Sequence, residues 1–353
     1  MKNQSLTPVR VSRHETGRLW EPGLSTFTLA HLSDPHLGPL PAPGFGALLG
    51  KRITGLLSWR LKRSKIHRPK ILALLAESLK RQAPDHIAIT GDLVNISLPG
   101  EFVQARDWLN SLGQPEQITI IPGNHDAYVA LPWKSSIGLW ADFMSGRRED
   151  LKAPDRPVRD FSDFPFVRVL GDIALIGTST ALPTLPFAAT GRLGPQQLAR
   201  LEQCLRKLGA EGKCRVVLIH HPPFGGGAYR RKSLTDSAAF QDVIARAGCE
   251  LVLHGHTHVS GLGKVPTPFG HAPVIGVPSA SAMPSKHKDP ARFHLYRFEP
   301  LAQGWKLTVD VYELALDCSG FLPQGGMAIP LGSVLSSDRS TKSNESAIAI
   351  SDR

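Results

Sequence analysis

The segment QITIIPGNHD, residues 117–126, joins an apolar run to a glycine turn and three polar side chains. Residues 117–121 are rich in isoleucine and stop at a Pro-Gly pair, which is typical of a strand buried on both faces of a sheet. Asn124, His125 and Asp126 follow at the point where such a strand ends. The segment therefore predicts a buried strand with an amide, an imidazole and a carboxylate at its carboxyl end.

The same arrangement recurs four more times along the chain. The other apolar runs are residues 27–32, 86–90, 215–219 and 251–253. The motifs that follow them are Ser33-Asp34-Pro35-His36, Gly91-Asp92, His220-His221-Pro222-Pro223 and His254-Gly255-His256-Thr257-His258. Ligands of open α/β sheets bind outside the carboxyl ends of the strands, so we expect the five ends to converge on one site. Half of the fourteen histidines lie in these motifs, which argues against a chance arrangement.

The chemistry of these side chains favours a metal site. Each short motif is a weak signal by itself, because Asp-Pro commonly opens a turn. Together, however, carboxylates, an amide oxygen and several imidazoles in one crevice would be costly to desolvate without a partner. One or two divalent cations would offset that cost, since these groups bind Mn, Fe, Zn and Co.

Helical patterns lie between the strands, and their alternation predicts an α/β sheet with covered faces. Apolar residues recur at helical spacing over residues 71–79, 102–112, 198–208 and 240–247. After His258 the pattern changes to consecutive strands, which predicts a meander or a second sheet edge. These later strands are residues 274–277, 292–299 and 305–314.

The motifs, taken in order, resemble those of the calcineurin-like metallophosphoesterases over roughly residues 27–277. This resemblance implies a four-layer αββα sandwich of two mixed sheets, with a two-metal site at the carboxyl ends of the strands. It implies that one metal is held by Asp34, His36, Asp92 and His258. It also implies that Asp92 bridges to a second metal held by Asn124, His220 and His256. His220 is preferred to its neighbour His221 because it directly follows the strand.

The resemblance gives His125 a different role, as the group that faces the substrate phosphate and protonates the leaving oxygen. Asp126 either orients His125 or stabilises the turn. The other histidines, including His67, and also Asn95 are expected to have structural roles only.

The positive charge of the chain is concentrated in one segment. The 41 Lys and Arg exceed the 30 Asp and Glu by 11, and residues 51–81 contribute a net charge of nine. Apolar residues at helical spacing in an insertion at about 41–70 predict a short basic amphipathic helix beside the site, with Trp59 as an interfacial aromatic. This insertion is either a helical cover whose Lys and Arg are merely solvated or a functional lid. Such a lid would dock on an anionic membrane through residues 45–70 or bind a phosphate-rich substrate. A nucleic-acid groove is less favoured, because the apolar face is pronounced.

The expected domain organisation has three parts. Residues 1–26 form a polar N-terminal segment, residues 27–316 the catalytic domain, and residues 317–353 a serine-rich disordered tail. The four cysteines form no Cys-x-x-Cys pair, which favours reduced thiols and a cytoplasmic protein. No signal peptide or membrane span is evident, so any contact with the inner membrane would be peripheral.

With its complete set of motifs, the resemblance implies a metal-dependent phosphoric ester hydrolase that cleaves a phosphodiester or pyrophosphate in a small-molecule or lipid-linked substrate. The default is a cyclic-nucleotide or glycerophosphodiester phosphodiesterase. One alternative resembles the enzymes that hydrolyse UDP-diacylglucosamine in lipid A synthesis at the membrane surface. Others are a protein phosphatase, a nuclease and a non-catalytic phosphate- or membrane-binding module.

Overall fold

The computed structural model describes residues 26–44, 48, 50–148, 150–224, 232–285 and 289–332. The predicted polar N-terminal segment, apart from Thr26, lies outside the described residues, and so do residues 333–353 of the predicted tail. No helix in the described part of the chain combines the length and the apolar character needed to cross a bilayer.

Twelve strands and six α-helices make up the regular structure of the described residues. The strands are β1 Phe27–Leu32, β2 His86–Ile89, β3 Ile118–Ile120, β4 Phe166–Leu170, β5 Ile173–Gly177, β6 Cys214–Leu218, β7 Leu251–His254, β8 Gly261–Thr267, β9 Gly270–Gly276, β10 Arg292–Pro300, β11 Trp305–Leu314 and β12 Phe321–Leu331. The helices are α1 Lys51–Ser58, α2 Ser64–Ile66, α3 Pro69–Gln82, α4 Pro99–Leu112, α5 Pro195–Ala210 and α6 Ser237–Ala247. A π-helical turn, Trp59–Arg63, joins α1 to α2, and short 3-10 helices lie at Pro115–Gln117, Trp133–Ser135, Ile137–Met144 and Phe161–Asp163.

The strands form two mixed six-stranded sheets. One has the order β12-β11-β10-β1-β2-β3 and the other β4-β5-β6-β7-β9-β8. In the first sheet β1, β2 and β3 run parallel, and in the second β5, β6, β7 and β9 run parallel. The parallel strands place the polar motifs that follow them at the carboxyl edges of the two sheets.

The side chains of β6 show how the two sheets pack. Val216 and Leu218 belong to the large apolar cluster that also contains β1 residues such as Leu29. Val217, which points the opposite way because side chains alternate along a strand, belongs to a second cluster with Leu201 of α5 and other residues of α5 and α6. The two sheets therefore pack face to face with helices outside, which confirms the predicted sandwich.

Local sequence explains where the helices begin and end. Pro69, Pro99 and Pro195 occupy the first turns of α3, α4 and α5, where the missing N–H is not needed. The buried carboxylate of Glu101 accepts hydrogen bonds from the backbone N–H groups of Asn95, Ile96 and Leu98, and so caps the start of α4. This cap also holds the loop after β2, which carries Asp92, in place.

Three strands of the second sheet, β4, β5 and β8, were not predicted from the sequence. β4 and β5 form a hairpin around Gly171-Asp172, a pair typical of tight turns, so a signal for them existed. β8 contains two glycines and a proline, which are residues depleted in strands, and it is recognised only by its pairing with β9.

The predicted tail boundary is wrong, because β12 lies inside residues 317–353 and pairs with β11 along almost its whole length. Its sequence, FLPQGGMAIPL, has two prolines and two glycines. Such residues are tolerated on an edge strand, where one side of the backbone needs no ladder partner. The catalytic domain therefore extends to at least Leu331.

The basic insertion is helical over residues 51–66, but Trp59 is not interfacial. Residues 45–47 and 49 of the predicted insertion lie outside the described residues. The Trp59 side chain is buried and would meet a β-carbon placed at Gly38, so it packs directly on the loop after β1. By contrast Ile53, Leu57 and Leu61 are 55, 58 and 66% exposed. The insertion thus has one face held against the site and another open to solvent.

Candidate metal centre

The eight predicted site residues all lie at strand ends, and most of them have an unusual backbone. Left-handed φ angles occur at Asp34 (53°), His36 (42°), Asp92 (57°), His256 (68°) and His258 (58°). This region is costly for residues other than glycine and persists only where the surroundings enforce it, and such strain clusters at functional sites. The loops therefore keep a strained geometry that directs polar side chains to one point.

One cluster combines residues from β1, β2 and the segment after β7. His258 Nε2 lies 3.1 Å from Asp34 Oδ1 and 3.2 Å from His36 Nε2. His36 Nε2 in turn lies 3.8 Å from Asp34 Oδ1 and 3.9 Å from Asp92 Oδ2. Four of the predicted ligands are thus close enough to share one cation.

A second cluster lies on the other side of Asp92. His220 Nε2 is 3.4 Å from Asp92 Oδ2 and 3.1 Å from Asn124 Oδ1. His256 Nδ1 is 2.8 Å from the same Asn124 oxygen. Because Asp92 Oδ2 is near both His36 and His220, its carboxylate stands between the two clusters, where a bridging ligand would be needed.

The hydrogen bonds of the imidazoles test whether these clusters suit a cation. The second ring nitrogen of His36, His220 and His256 donates to a backbone carbonyl, at distances of 3.2, 2.6 and 2.8 Å. In the neutral ring, which carries only one N–H, the other nitrogen is a bare acceptor. At His220 and His256 it faces Asn124 and Asp92 oxygens, which are acceptors too, and at His36 it faces His258. A divalent metal, or at His220 a second proton in its absence, resolves such contacts between acceptors, so the residues fit divalent metals.

The choice between His220 and His221 can be argued from the same rule. The ring nitrogens of His221 lie within 4.8 Å of those of His220 and His256. However, its Nδ1 accepts from the Thr180 hydroxyl at 2.7 Å, and its Nε2 donates to the Ala189 carbonyl at 3.1 Å. Both nitrogens are engaged, which favours His220 as the ligand.

The electrostatics of the site depend on burial and on the two aspartates. Burial lowers the pKa of His256 to about 3. Burial alone would also lower the pKa of His220, but the Asp92 carboxylate beside it prevails and raises this pKa to about 9. Without a metal, His220 therefore holds a proton against Asp92. A cation must displace that proton, so metal affinity is expected to fall at low pH.

Two glycines allow the loops to approach so closely. A β-carbon at Gly255 would overlap Ser33 Oγ and crowd Asp34 Oδ2, and one at Gly123 would overlap Asp92 Oδ1. Gly255 thus lets the segment that carries His256 and His258 lie against the loop after β1, where both contact Asp34.

His125 faces a cavity of about 260 Å³ that Asp92, Asn124, His256 and His258 of the two clusters also line. Its backbone N–H donates to Asp92 Oδ1 at 2.7 Å, and its Nδ1 donates to the Asn95 carbonyl. Asn95 therefore positions His125 through its backbone, a role that sequence reasoning missed. The carboxylate of Asp126 accepts from the backbone N–H groups of Asp92, Val94 and Gly123, so it stabilises the turn.

Two further residues at the site were missed, and both come from the basic insertion. The Arg63 guanidinium lies 3.0 Å from the ring nitrogens of His36 and 3.2 Å from those of His125. The buried ring of His67 lies 4.6 Å from that of His36 between centroids. His67 thus has a place at the metal centre that its predicted structural role did not include. Their spacing of four residues in a helical segment, which puts both on one face, was the available signal.

A family model described as calcineurin-like phosphoesterase matches residues 27–260 of this chain. The chain belongs to the calcineurin-like phosphoesterase family. The resemblance seen in the motifs is thereby confirmed, and this calcineurin-like phosphoesterase is a metal-dependent phosphoester hydrolase of a family with dinuclear metal centres.

Several relatives carry phosphodiesterase names. A probable cyclic nucleotide phosphodiesterase of a Synechococcus strain is 28% identical over 228 residues, which cover 63% of this chain and 75% of that protein. A second one from another Synechococcus strain is 25% identical and covers 78% of this chain and 88% of its own length. The glycerophosphodiester phosphodiesterase GpdQ of Enterobacter lignolyticus is 28% identical over 40% of this chain and 44% of its own length.

Solved structures of similar fold include a dimetal phosphatase of Danio rerio and the purple acid phosphatase PPD1 of yellow lupin. Both have a TM-score of 0.52 and 12% identity to this chain. The match covers 86% of this chain and 98% of the first structure, and 91% of this chain and 58% of the second. At this identity the likeness supports the sandwich fold alone.

Proposed function

We propose that this phosphoesterase hydrolyses a small phosphodiester of the cyclic-nucleotide or glycerophosphodiester kind at a centre of two divalent cations. The observation that carries the proposal is the set of metal-facing acceptors from five strand ends, with His125 beside it in a cavity. The names of the relatives at 25–28% identity agree with a diester substrate.

In this proposal Asp34, His36, Asp92 and His258 hold one cation. Asp92 also contributes to the second, which is held by Asn124, His220 and His256. Divalent cations supply Lewis-acid stabilisation of phosphoryl charge and a source of hydroxide near neutral pH. The oxygen and imidazole ligands accommodate Mn, Fe, Zn or Co.

His125 is proposed to protonate the leaving oxygen of the ester. Its Nδ1 is committed to the Asn95 carbonyl, so Nε2 is the nitrogen available to the substrate. Burial and the nearby Arg63 charge lower the pKa of His125. A bound phosphate anion acts against both effects and so favours the protonated form of His125.

The size and lining of the cavity favour a small ester. Its volume is about 260 Å³, close to the lower end of ligand pockets in general. Lys62, Arg63 and Lys232 line it together with His125 and Asp92. A narrow cationic cavity suits a phosphate group with a compact substituent better than a folded protein or a nucleic-acid duplex.

The experiment compares substrates at equal metal loading. With Mn²⁺-loaded protein, kcat/KM for cyclic AMP, glycerophosphocholine and bis(p-nitrophenyl) phosphate is measured against that for the monoester p-nitrophenyl phosphate. We expect at least one diester to exceed the monoester by about tenfold or more, since a site that contacts the second substituent of a diester loses those contacts with a monoester. A consistent preference for the monoester would contradict the diester proposal.

A second candidate is a lipid-linked substrate, such as a UDP-diacylglucosamine-like pyrophosphate, reached at an anionic membrane surface. The observation that favours it is the exposure of Ile53, Leu57 and Leu61 at four-residue spacing. Exposed Arg60 and Lys65 lie on the same segment. Apolar side chains among cations suit the interface of an anionic bilayer.

Flotation with vesicles tests the second candidate. Wild-type protein is expected to float with phosphatidylglycerol-containing vesicles and to remain behind with phosphatidylcholine alone. The triple variant Ile53→Ser, Leu57→Ser and Leu61→Ser should lose flotation while keeping its activity on soluble diesters. Wild-type protein that stays unbound at low salt would count decisively against a membrane surface.

A further inference from the structure

Arg63 occupies a position that the metal ligands do not explain. Its guanidinium lies between His36, a proposed metal ligand, and His125, the proposed acid, and it lines the cavity with Lys62 and Lys232. Its nitrogens lie 3.0 Å from His36 Nε2 and 3.2 Å from His125 Nε2. In the proposed function the first of these atoms would bind a metal and the second would protonate the leaving oxygen, which leaves the Arg63 donors for another partner.

The segment that carries Arg63 is fastened on its N-terminal side to the loop after β2. The Arg52 guanidinium donates to the carbonyls of Ile96 and Ser97, at 3.1 and 2.5 Å. Gly55 packs so closely on this loop that a β-carbon there would lie 2.5 Å from Ile96 Cγ2 and 2.8 Å from the Tyr128 hydroxyl. The helix α1 is therefore set against the loops that present Asp92 and His125.

The same segment is fastened on its C-terminal side to the loop after β9. The ring of His67 hydrogen bonds to the Ser281 hydroxyl at 2.8 Å, and the backbone N–H of Arg68 donates to the Ser281 carbonyl at 3.2 Å. The Met283 N–H donates to the Ile66 carbonyl at 2.9 Å. Arg63 is thus held between two anchors, and the π-helical turn that contains it is a form common at functional sites.

The charge of Arg63 has no direct ion-pair partner in the described part of the chain. Among the residues that the structure describes, no carboxylate lies within ion-pair distance of its guanidinium, although Asp34 and Asp92 are near enough to influence its pKa. Cations bound at the metal centre would neutralise the charge of those two aspartates. A planar guanidinium with five donors that faces this cavity without a carboxylate at ion-pair distance is suited to a phosphoryl group.

We propose that Arg63 binds a non-bridging oxygen of the substrate's phosphoryl group and fixes it beside His125. The face of the insertion that carries Arg63 then forms part of the substrate site, and only the opposite, solvent-exposed face acts as a helical cover. This inference rests on the proposed function, because the ligand is the phosphate of that reaction. It adds a residue from outside the five strand-end motifs, carried by a segment between the first two of them.

The test measures phosphate binding as well as turnover. Inorganic phosphate is titrated into Mn²⁺-loaded wild type, Arg63→Ala, Arg63→Lys and the control Lys70→Ala, an exposed cation of the same insertion. We expect the phosphate dissociation constant to rise about 10- to 100-fold in Arg63→Ala. In Arg63→Lys the dissociation constant should rise less, because lysine keeps the positive charge but lacks the paired donors of the guanidinium. In Lys70→Ala the dissociation constant should stay within about twofold of the wild-type value.

The control measurements are the Mn²⁺ content and the thermal melting of each variant, which should match wild type. Phosphate affinity of Arg63→Ala equal to that of wild type, with metal and fold intact, would overturn the inference. So would a wild type that binds no phosphate at all. If wild type binds phosphate and Arg63→Ala weakens it, yet no ester is cleaved, the inference stands and only the proposed reaction fails.

Discussion

At the scale of single residues, the centre is defined by imidazole nitrogens that are oriented from behind. One ring nitrogen of His36, His220 and His256 donates to a backbone carbonyl, and the other faces the clusters. The sequence predicted these residues because each follows an apolar run, and strand ends of parallel sheets converge. Arg63 and His67 were not predicted. Their four-residue spacing places them on one face of a helix, but it does not say that the insertion folds back onto the site.

The acid role of His125 predicts a dependence on the leaving group. His125→Ala should lower kcat for glycerophosphocholine, whose alcohol must be protonated as it leaves, by about 10²- to 10⁴-fold. The loss for bis(p-nitrophenyl) phosphate should be much smaller, because nitrophenolate leaves without a proton. Steady-state rates on both substrates check this, with the exposed His271→Ala as control. Equal losses on the two substrates would argue against an acid role.

The hydrogen bonds of the His220-His221 pair predict different metal contents. His220→Ala removes a nitrogen that faces Asp92 and Asn124, so bound Mn²⁺ should fall from about two ions per chain toward one. His221→Ala removes a ring that is occupied by Thr180 and Ala189, so a folded variant should keep its metal. Elemental analysis after dialysis, with circular dichroism as a check on folding, decides between them. A greater metal loss in His221→Ala would reverse the assignment.

At the scale of elements, the insertion shows why residue patterns alone mislead. The glycine at position 55 predicts a weakened helix, since glycine costs about 1 kcal/mol relative to alanine inside a helix. In the structure the glycine is what allows α1 to lie against Ile96 and Tyr128. Likewise Trp59, a good candidate for a membrane interface, is buried on Gly38. Both outcomes depend on tertiary contacts that helical periodicity does not contain.

Gly55→Ala should therefore improve the local helix and still impair the site. The added methyl group displaces α1 from the loop after β2, and Arg63 moves with it. We expect phosphate affinity to weaken several-fold with little change in the Mn²⁺ content. Phosphate titration checks this, with the exposed Thr54→Ala one residue away as a control that adds no contact. Unchanged affinity in Gly55→Ala would show that the close packing of α1 does not position Arg63.

At the scale of the whole molecule, the two-sheet sandwich was predictable and its edges were not. The central strands have continuous apolar runs, whereas β8 and β12 are rich in glycine and proline and are defined by their neighbours. β12 matters for stability, because Phe321 and Leu331 at its ends are buried in the core shared with β11. The last strand of the first sheet is thus formed by residues that composition alone would assign to a disordered tail.

Two truncations test this boundary. A chain that ends after residue 332 should melt close to the full-length protein. A chain that ends after residue 316 loses β12 and two buried side chains, which cost roughly 3–6 kcal/mol together. Its melting temperature should fall by several degrees or more, as thermal denaturation followed by circular dichroism would show. Equal melting of the two truncated chains would mean that β12 contributes little to the fold.

In the proposed centre, five strand ends hold two cations and Asp92 links them. The most direct measurement of this arrangement is the rate of bis(p-nitrophenyl) phosphate hydrolysis as Mn²⁺ is added to metal-free wild type and to Asp92→Asn. Wild-type activity should appear only with metal and saturate, and kcat in Asp92→Asn should be lower by roughly 100-fold or more. A fully metal-loaded wild type that cleaves nothing, or an Asp92→Asn variant as active as wild type, would contradict the proposed centre.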